Sequence, residues 1–356
     1  MNKQMEDSKK YIYDQNLENI QTFFQSMNEP AYRAAQLWQG LYKHYWNLPE
    51  QFSNFPQSLR TSLENHFSFS RLIPEKTIHS ADLLTQKTLF LTPDGYPVET
   101  VLMKYNARNT LCISSQSGCA MGCVFCATGQ MGFKKNLSAG EIIEQVIQFS
   151  SFLKEKGESL SNIVVMGMGE PFHNYQATLD AIDCLNDPQG MNFGARRFTI
   201  STVGIVPAIK KFAEEKKQIN LAISLHASSN ELRSSLLPIN KKYPIEELLE
   251  ACREYVKITR RRITFEWALI DGINDDMQEA QRLSTLIRGL LCHVNIIPLN
   301  PTTKYSGKPT SQEKAALFKE ELQKNGIPCT IRLRRGIEIA AGCGQLAGNS
   351  SIRYSE

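Results

Sequence analysis

No stretch of this 356-residue chain approaches the ~18 uninterrupted apolar residues that a membrane-spanning helix needs. Met1 to Asn16 is polar and charged and has no apolar centre. Neither a signal peptide nor a membrane anchor is expected, and the reading is a cytoplasmic protein with no membrane partner. Internal repeats and low-complexity segments are missing as well. Charge of one sign is scarce: 40 Lys and Arg against 36 Asp and Glu leave +4, too little to mark a nucleic-acid binder by itself. An even set of cysteines is also lacking. Nine thiols in a long chain, three of them within eight residues, argue against a secreted disulfide framework and for reduced, chemically used thiols. What the chain does have is 42% apolar residues, enough for one large domain and a smaller one.

The run Ser117-Gly118-Cys119-Ala120-Met121-Gly122-Cys123-Val124-Phe125-Cys126 carries the densest chemistry. Three crowded thiolates are soft ligands suited to an iron–sulfur cluster, and they leave one iron of a four-iron cluster open to a substrate or cofactor. The alternative is a zinc knuckle, which needs a fourth ligand. Cys112 lies seven residues upstream, and His173 and His226 are distant in sequence. Cys184, Cys252, Cys292 and Cys329 stand singly in apolar stretches and read as core. Basic residues cluster at Lys134-Lys135, Arg196-Arg197, Lys210-Lys211, Lys241-Lys242, Arg260-Arg261-Arg262 and Arg332-x-Arg334-Arg335. Singly these are solvated faces; together they permit an RNA-sized polyanion as substrate.

From Leu17 to Phe69 the apolar spacing is helical, interrupted by Asn28-Glu29-Pro30, Pro49 and Pro56. The stretches 87–91 and 98–103 alternate like two strands around a Pro93-Asp94-Gly95 turn, predicting a hairpin. Beyond it, apolar runs at 111–115, 162–167, 197–201, 219–225, 262–269 and 292–298 alternate with helical stretches near 138–156, 174–186, 205–216, 245–258, 276–290 and 311–325. Six β-α units in order predict a parallel sheet curved into a partial barrel, with ligands at the C-terminal ends of its strands. The cysteine triplet follows the first of these strands directly.

Val164-Val165-Met166-Gly167-Met168-Gly169-Glu170-Pro171 ends the second strand with glycines and an acid, where exposed carbonyls and Glu170 can receive an ammonium group. Ser201 closes the third strand, Ser224-Leu225-His226 the fourth, and Asn300 follows the sixth, all suitable partners for ribose, carboxylate or adenine. The other reading of the glycines is an ordinary tight turn, and of His226 a structural histidine. Cys343, between Gly342 and Gly344, is either a buried small residue or a thiol presented at the barrel mouth.

Together these residues resemble the radical S-adenosylmethionine (SAM) RNA methyltransferases of the RlmN/Cfr family. The agreement covers nearly the whole chain: Val98-Glu99-Thr100-Val101, Thr110-Leu111-Cys112-Ile113-Ser114-Ser115-Gln116, the cysteine loop, Ala127-Thr128-Gly129, Gly167-Met168-Gly169-Glu170, Ser224-Leu225-His226 and Ala341-Gly342-Cys343-Gly344-Gln345-Leu346. Gly169-Glu170-Pro171, Gln130-Met131-Gly132-Phe133 and Pro298-Leu299-Asn300-Pro301 look more like RlmN, which methylates adenosine C2, than Cfr, which methylates C8 and confers antibiotic resistance.

The resemblance implies an α/β fold, a radical SAM partial (β/α)6 TIM-like barrel with a small N-terminal helical accessory domain. It implies a division into 1–75 (accessory, RNA-binding), 76–108 (hairpin linker), 109–340 (core) and 341–356 (tail). It implies a [4Fe-4S] cluster on Cys119, Cys123 and Cys126, and two SAM per turnover, bound by Gly169, Glu170, Ser201, Ser224, Leu225, His226 and Asn300. In the family's route Cys343 takes a methyl from one SAM, and a 5′-deoxyadenosyl radical from the second removes a hydrogen from it. The carbon then adds to C2, and Cys112 resolves the adduct through a disulfide with Cys343, which needs a reductant for turnover. Glu99 matches the family's proton acceptor, a role open also to Cys112. Implied partners are 23S rRNA near the peptidyl-transferase centre, tRNA beside the anticodon, and a flavodoxin- or ferredoxin-like electron donor. The rivals are a C8-methylating enzyme and a non-catalytic zinc-dependent RNA-binding protein.

Overall fold

The computed structural model describes residues 9–106 and 108–348. One ten-stranded sheet organises the chain: β1 (Ile73–His79), β2 (Thr85–Leu91), β3 (Pro97–Tyr105), β4 (Arg108–Ile113), β5 (Asn162–Val165), β6 (Phe198–Thr202), β7 (Asn220–Ser224), β8 (Ile263–Leu269), β9 (Cys292–Pro298) and β10 (Cys329–Ile331). Its order is sequential, so each strand pairs with the next in the chain. Strands β4 to β10 are parallel, and β1 to β4 run antiparallel to one another. No pairing joins β10 to β1 among the described residues. The sheet is therefore an open barrel with the expected parallel architecture.

Helices cover its outer face, and the reason is visible in single elements. Ser138 and Glu141 form a reciprocal capping box at the start of α4 (Ala139–Glu155), and Ile142, Ile143, Val146 and Leu153 are buried against the sheet. Such burial is worth about 1.5–3 kcal/mol for each large aliphatic side chain. Ahead of the sheet, α1 (Leu17–Ser26), α2 (Tyr32–Gln39) and α3 (Gln57–His66) break near the prolines that interrupt the sequence pattern. Glu144 of α4 ties this region to the barrel: it accepts from Tyr11 Oη and, at 2.9 Å each, from the backbone N–H groups of Arg71 and Leu72.

Three elements depart from the sequence expectation. A seventh parallel strand, β10, has only three residues and gives no periodic signal. Strand β1 is exposed along most of its length, so it lacks the apolar alternation of β2 and β3, and what reads as a two-stranded hairpin is a three-stranded extension of the barrel sheet. The expected boundary at residue 75 falls inside this strand. The short helix α5 (Asn230–Leu236), after β7, lies in a stretch without a helical prediction. The outer ends of the 1–75 and 341–356 ranges lie outside the described residues.

Candidate active site

The cysteine loop leaves β4 and crosses the C-terminal end of the barrel. Gly118 adopts φ +69°, and a Cβ there would lie 1.9 Å from the Gly132 carbonyl oxygen, so only glycine fits this crossing. Further bonds hold the loop: Cys119 N–H donates to Gly132 O at 3.2 Å, Val124 N–H to Leu236 O at 3.1 Å, and Gln130 Nε2 to Val124 O at 2.6 Å. Cys119, Cys123 and Cys126 line one cavity. Burial pushes the Cys119 thiol up to about 12 and raises Cys123 and Cys126 as well. A soft cation bound there has to displace their protons. No three His, Cys, Asp or Glu side chains among the described residues converge on a single-ion position. His226 Nδ1 accepts from Ala268 N–H, and His173 Nδ1 pairs with Gln116 Nε2. Three thiols on one loop match the donor set of a cluster with one open corner.

The glycines after β5 answer first to packing. A Cβ on Gly167 would sit 2.6 Å from Ser114 Oγ, and one on Gly169 (φ +104°) 2.6 Å from Gln116 Cβ. Ser114 Oγ accepts from Met168 N–H at 2.8 Å, and Gln116 Oε1 accepts from Glu170 N–H at 2.8 Å. The Glu170 carboxylate is buried on the cavity wall, accepting from Phe172 N–H at 3.0 Å and Val203 N–H at 2.9 Å. Burial raises its pKa to about 7 against these hydrogen bonds. A cationic group entering the cavity would find there a carboxyl with little competing solvent.

Ser201, Ser224, His226 and Asn300 also line this cavity. His226 has φ 60°, a left-handed backbone unusual for a bulky side chain. It is held by Ala268 N–H on Nδ1, by Asn274 Nδ2 donating to its carbonyl at 2.8 Å, and by an edge-to-face contact with Phe125. Burial depresses its pKa to about 3, so the ring is neutral. The Leu225 side chain is 0% exposed and packs in the main core rather than lining the cavity. Alternation along the strand end turns it away from its neighbours. Arg233 of α5 is also buried, and donates to the carbonyls of Val203, Ser224 and Leu225 that close β6 and β7.

After β10 the chain returns across the open side of the barrel as a strap that carries Cys343. Its inner face packs Ile339, Ala341 and Leu346 against Val101 and Cys112. Gly344 O accepts from Ala127 N–H at 2.7 Å, Leu346 O from Thr128 Oγ1 at 2.6 Å, and Cys343 O from Asn300 Nδ2 at 3.1 Å. Asn300 thus holds the strap as well as lining the cavity. Cys343 is exposed, and both it and Cys112 are free thiols on a second cavity that shares Cys126, Asn300 and Gly344 with the first. Burial pushes Cys112 up to about 12, with Cys343 adding to the rise and Arg332 opposing it.

Glu99 and its partner Lys87 are not in the lining of either cavity. Glu99 is 2% exposed; its Oε1 lies 2.9 Å from Lys87 Nζ, and its Oε2 accepts from Ala347 N–H at 2.8 Å and Gly348 N–H at 3.2 Å. Lys87 Nζ also donates to Ala340 O at 3.1 Å. The pair therefore grips the strap on both sides of Cys343. Two further groups escaped the sequence reading. Arg332 Nη1 lies 4.0 Å from Cys343 Sγ and 3.9 Å from Glu266 Oε2, and buried Glu266 lines the first cavity. The signal for Glu266 is a lone acid in the apolar run Ile263–Leu269, while Arg332 is hidden in what reads as a basic surface cluster.

An open parallel barrel with three thiols at the head of a cavity that ends its strands defines a radical SAM enzyme. Residues 113–283 match the Radical SAM superfamily, and residues 11–68 the Ribosomal RNA large subunit methyltransferase N-terminal domain. The chain is 47% identical to a probable dual-specificity RNA methyltransferase RlmN of Chloroflexus aurantiacus, over 96% of this chain and 93% of the relative. It is 43% identical to dual-specificity RNA methyltransferase RlmN 1 of Myxococcus xanthus, over 96% and 95%. A radical SAM methyltransferase from Sphaerobacter thermophilus superposes with a TM-score of 0.93 at 47% identity, covering 96% of this chain and all of that one. The chain belongs to the RlmN family of radical SAM RNA methyltransferases. Superfamily membership implies a [4Fe-4S] cluster and SAM. No helix among the described residues is long and apolar enough to cross a membrane.

Proposed function

We propose that this enzyme forms 2-methyladenosine in 23S rRNA near the peptidyl-transferase centre and in tRNA beside the anticodon, through an S-methylcysteine at Cys343. The observation that carries this reading is the pair of free thiols, Cys112 and Cys343, on a cavity continuous with the three-cysteine loop. C2 of adenine is electron-poor and does not displace a sulfonium; a thiolate does. Cys343 takes the methyl from one SAM, its new S–C bond forming as the sulfonium C–S bond breaks and S-adenosylhomocysteine leaves. Gly169, Glu170, Ser201, Ser224, His226 and Asn300 hold SAM, with Glu170 meeting its ammonium group.

Cys119, Cys123 and Cys126 would hold the cluster, which would supply one electron for reductive cleavage of a second SAM; the Cys343 methyl would then give up a hydrogen to the resulting 5′-deoxyadenosyl carbon. Cys343 then delivers that carbon to C2. The adduct gives up a proton, to Glu99 or Cys112, and one electron, which the oxidised cluster would take back. Cys112 attacks the Cys343 sulfur, the bond from that sulfur to the methylene breaks, the methylene takes a proton to become the methyl of the released base, and a disulfide is left for reduction. The electron donor is flavodoxin- or ferredoxin-like. The target base leaves its stack to reach Cys343, and the N-terminal helices with the basic pairs hold the RNA backbone.

The test is anaerobic reconstitution with iron and sulfide, then incubation with SAM, reductant and ribosomal RNA fragments, and mass spectrometry of the digested nucleosides. The reading expects 2-methyladenosine. An 8-methyladenosine product moves the enzyme to the Cfr type. Intact cluster without any methylated adenosine contradicts the substrate, and colourless zinc-loaded protein contradicts the chemistry.

A further inference from the structure

Tyr105 ends β3 beside the second cavity, and two cations flank its ring: the Arg108 guanidinium lies 4.8 Å and the Arg335 guanidinium 4.7 Å from the ring centre. Two like charges on one ring repel each other, and neither forms an ion pair within 4.0 Å among the described residues. Asp82, the acid whose charge acts on Arg335, is already engaged by Ser80 Oγ and Leu84 N–H. The Nε and Nη1 atoms of Arg335 are buried and lack any hydrogen-bond partner. Orphaned guanidinium donors are costly, and an arriving anion satisfies them. Beside them Leu333 is 76% exposed, so an apolar edge adjoins the cations.

This combination of forked donors without ion-pair partners and an adjoining apolar edge matches a single-stranded nucleotide, with its phosphate on the guanidiniums. The same cavity wall carries Cys112 and Cys343. We propose that Tyr105, Arg108 and Arg335 dock the phosphodiester backbone of RNA immediately beside the adenosine presented to Cys343. The site rests on the RNA-methylating reading above, and extends it by placing the approach of the strand on the β3 side of the strap.

The test measures binding of the full-length, cluster-loaded protein to a fluorescently labelled transcript of the 23S rRNA peptidyl-transferase region, by anisotropy across a salt series. Arg108→Gln/Arg335→Gln is compared with wild type and with Lys319→Gln/Lys324→Gln, which removes equal charge from the outer helix Gln312–Lys324. Iron content and unfolding midpoint establish folding, and exposed Arg108→Gln alone serves if the double variant is unstable. Loss of two single-strand phosphate contacts lowers the slope of log affinity against log salt by about 1.4, and weakens binding about tenfold near physiological salt. The outer-helix variant keeps the wild-type slope. Wild-type slope and affinity in Arg108→Gln/Arg335→Gln overturn this site alone; wild-type protein that binds no RNA overturns the RNA reading and the site with it.

Discussion

Replacing Lys87 with methionine should release the strap that carries Cys343. In the wild-type enzyme the Lys87 ammonium bridges Glu99 at 2.9 Å and Ala340 O at 3.1 Å, and Glu99 in turn receives the backbone N–H groups of Ala347 and Gly348. Removing one partner of a buried ion pair costs about 3–5 kcal/mol, because the other charge is left without compensation. Here an escape exists: the strap lifts and lets water reach Glu99. Lifting forfeits two hydrogen bonds to a carboxylate, about 1.5–3 kcal/mol each, so the two outcomes are close in energy. The local opening of the strap should therefore become easier by about 3 kcal/mol, roughly a hundredfold in population. Hydrogen-exchange mass spectrometry on peptides covering residues 340–348 reads this directly. The expected result is roughly hundredfold faster exchange there in Lys87→Met, with barrel strands unchanged. Lys87→Met/Glu99→Leu, which makes the pair apolar, should regain global stability lost in the single variant while the strap stays open. Wild-type protection of 340–348 in Lys87→Met would refute the reasoning.

Three other outcomes are expected. Burial holds the His226 pKa near 3 in the folded state against 6.5 unfolded. Its contribution is fully present above pH 6.5 and is lost as pH falls toward 3, so at pH 5 wild type loses about 2 kcal/mol that His226→Asn does not. Urea unfolding of both proteins at the two pH values checks it, and equal pH dependence would sink it. Gly118→Ala forces a Cβ against the Gly132 carbonyl in a left-handed backbone, and should cost at least about 2 kcal/mol and leave reconstituted protein with much less iron by colorimetric assay. Cys112→Ala should still acquire one methyl on Cys343 by intact mass but accumulate RNA-linked protein on denaturing gels, whereas Cys343→Ala shows neither.

The parts of this site that the sequence revealed are those written locally. Cys119, Cys123 and Cys126 sit on one loop, and Gly167 to Glu170 on another, so their types and spacing survive without knowledge of the fold. The six β-α units were legible because both faces of a parallel strand are apolar and helices keep a 3.6-residue period. Strand β10 was not, since three residues carry no period. Long-range partners were invisible for a different reason. Glu99 in a strand reads as a surface acid, and only the fold reveals that its carboxylate meets amides 248 and 249 residues later. Lys87 and Arg332 likewise look like solvated cations until Ala340 and Cys343 are placed against them. Leu225 shows the same limit: its neighbours on both sides line the cavity, while the alternation at the strand end turns its side chain into the core.

The most direct test of the central claim is the isotopic content of the methyl group made from SAM carrying a trideuterated methyl. If the carbon passes through Cys343 and loses one hydrogen to the SAM-derived radical, 2-methyladenosine contains two deuterium atoms and 5′-deoxyadenosine gains the third. A product that keeps all three deuterium atoms would contradict the account, because it requires direct displacement by the base.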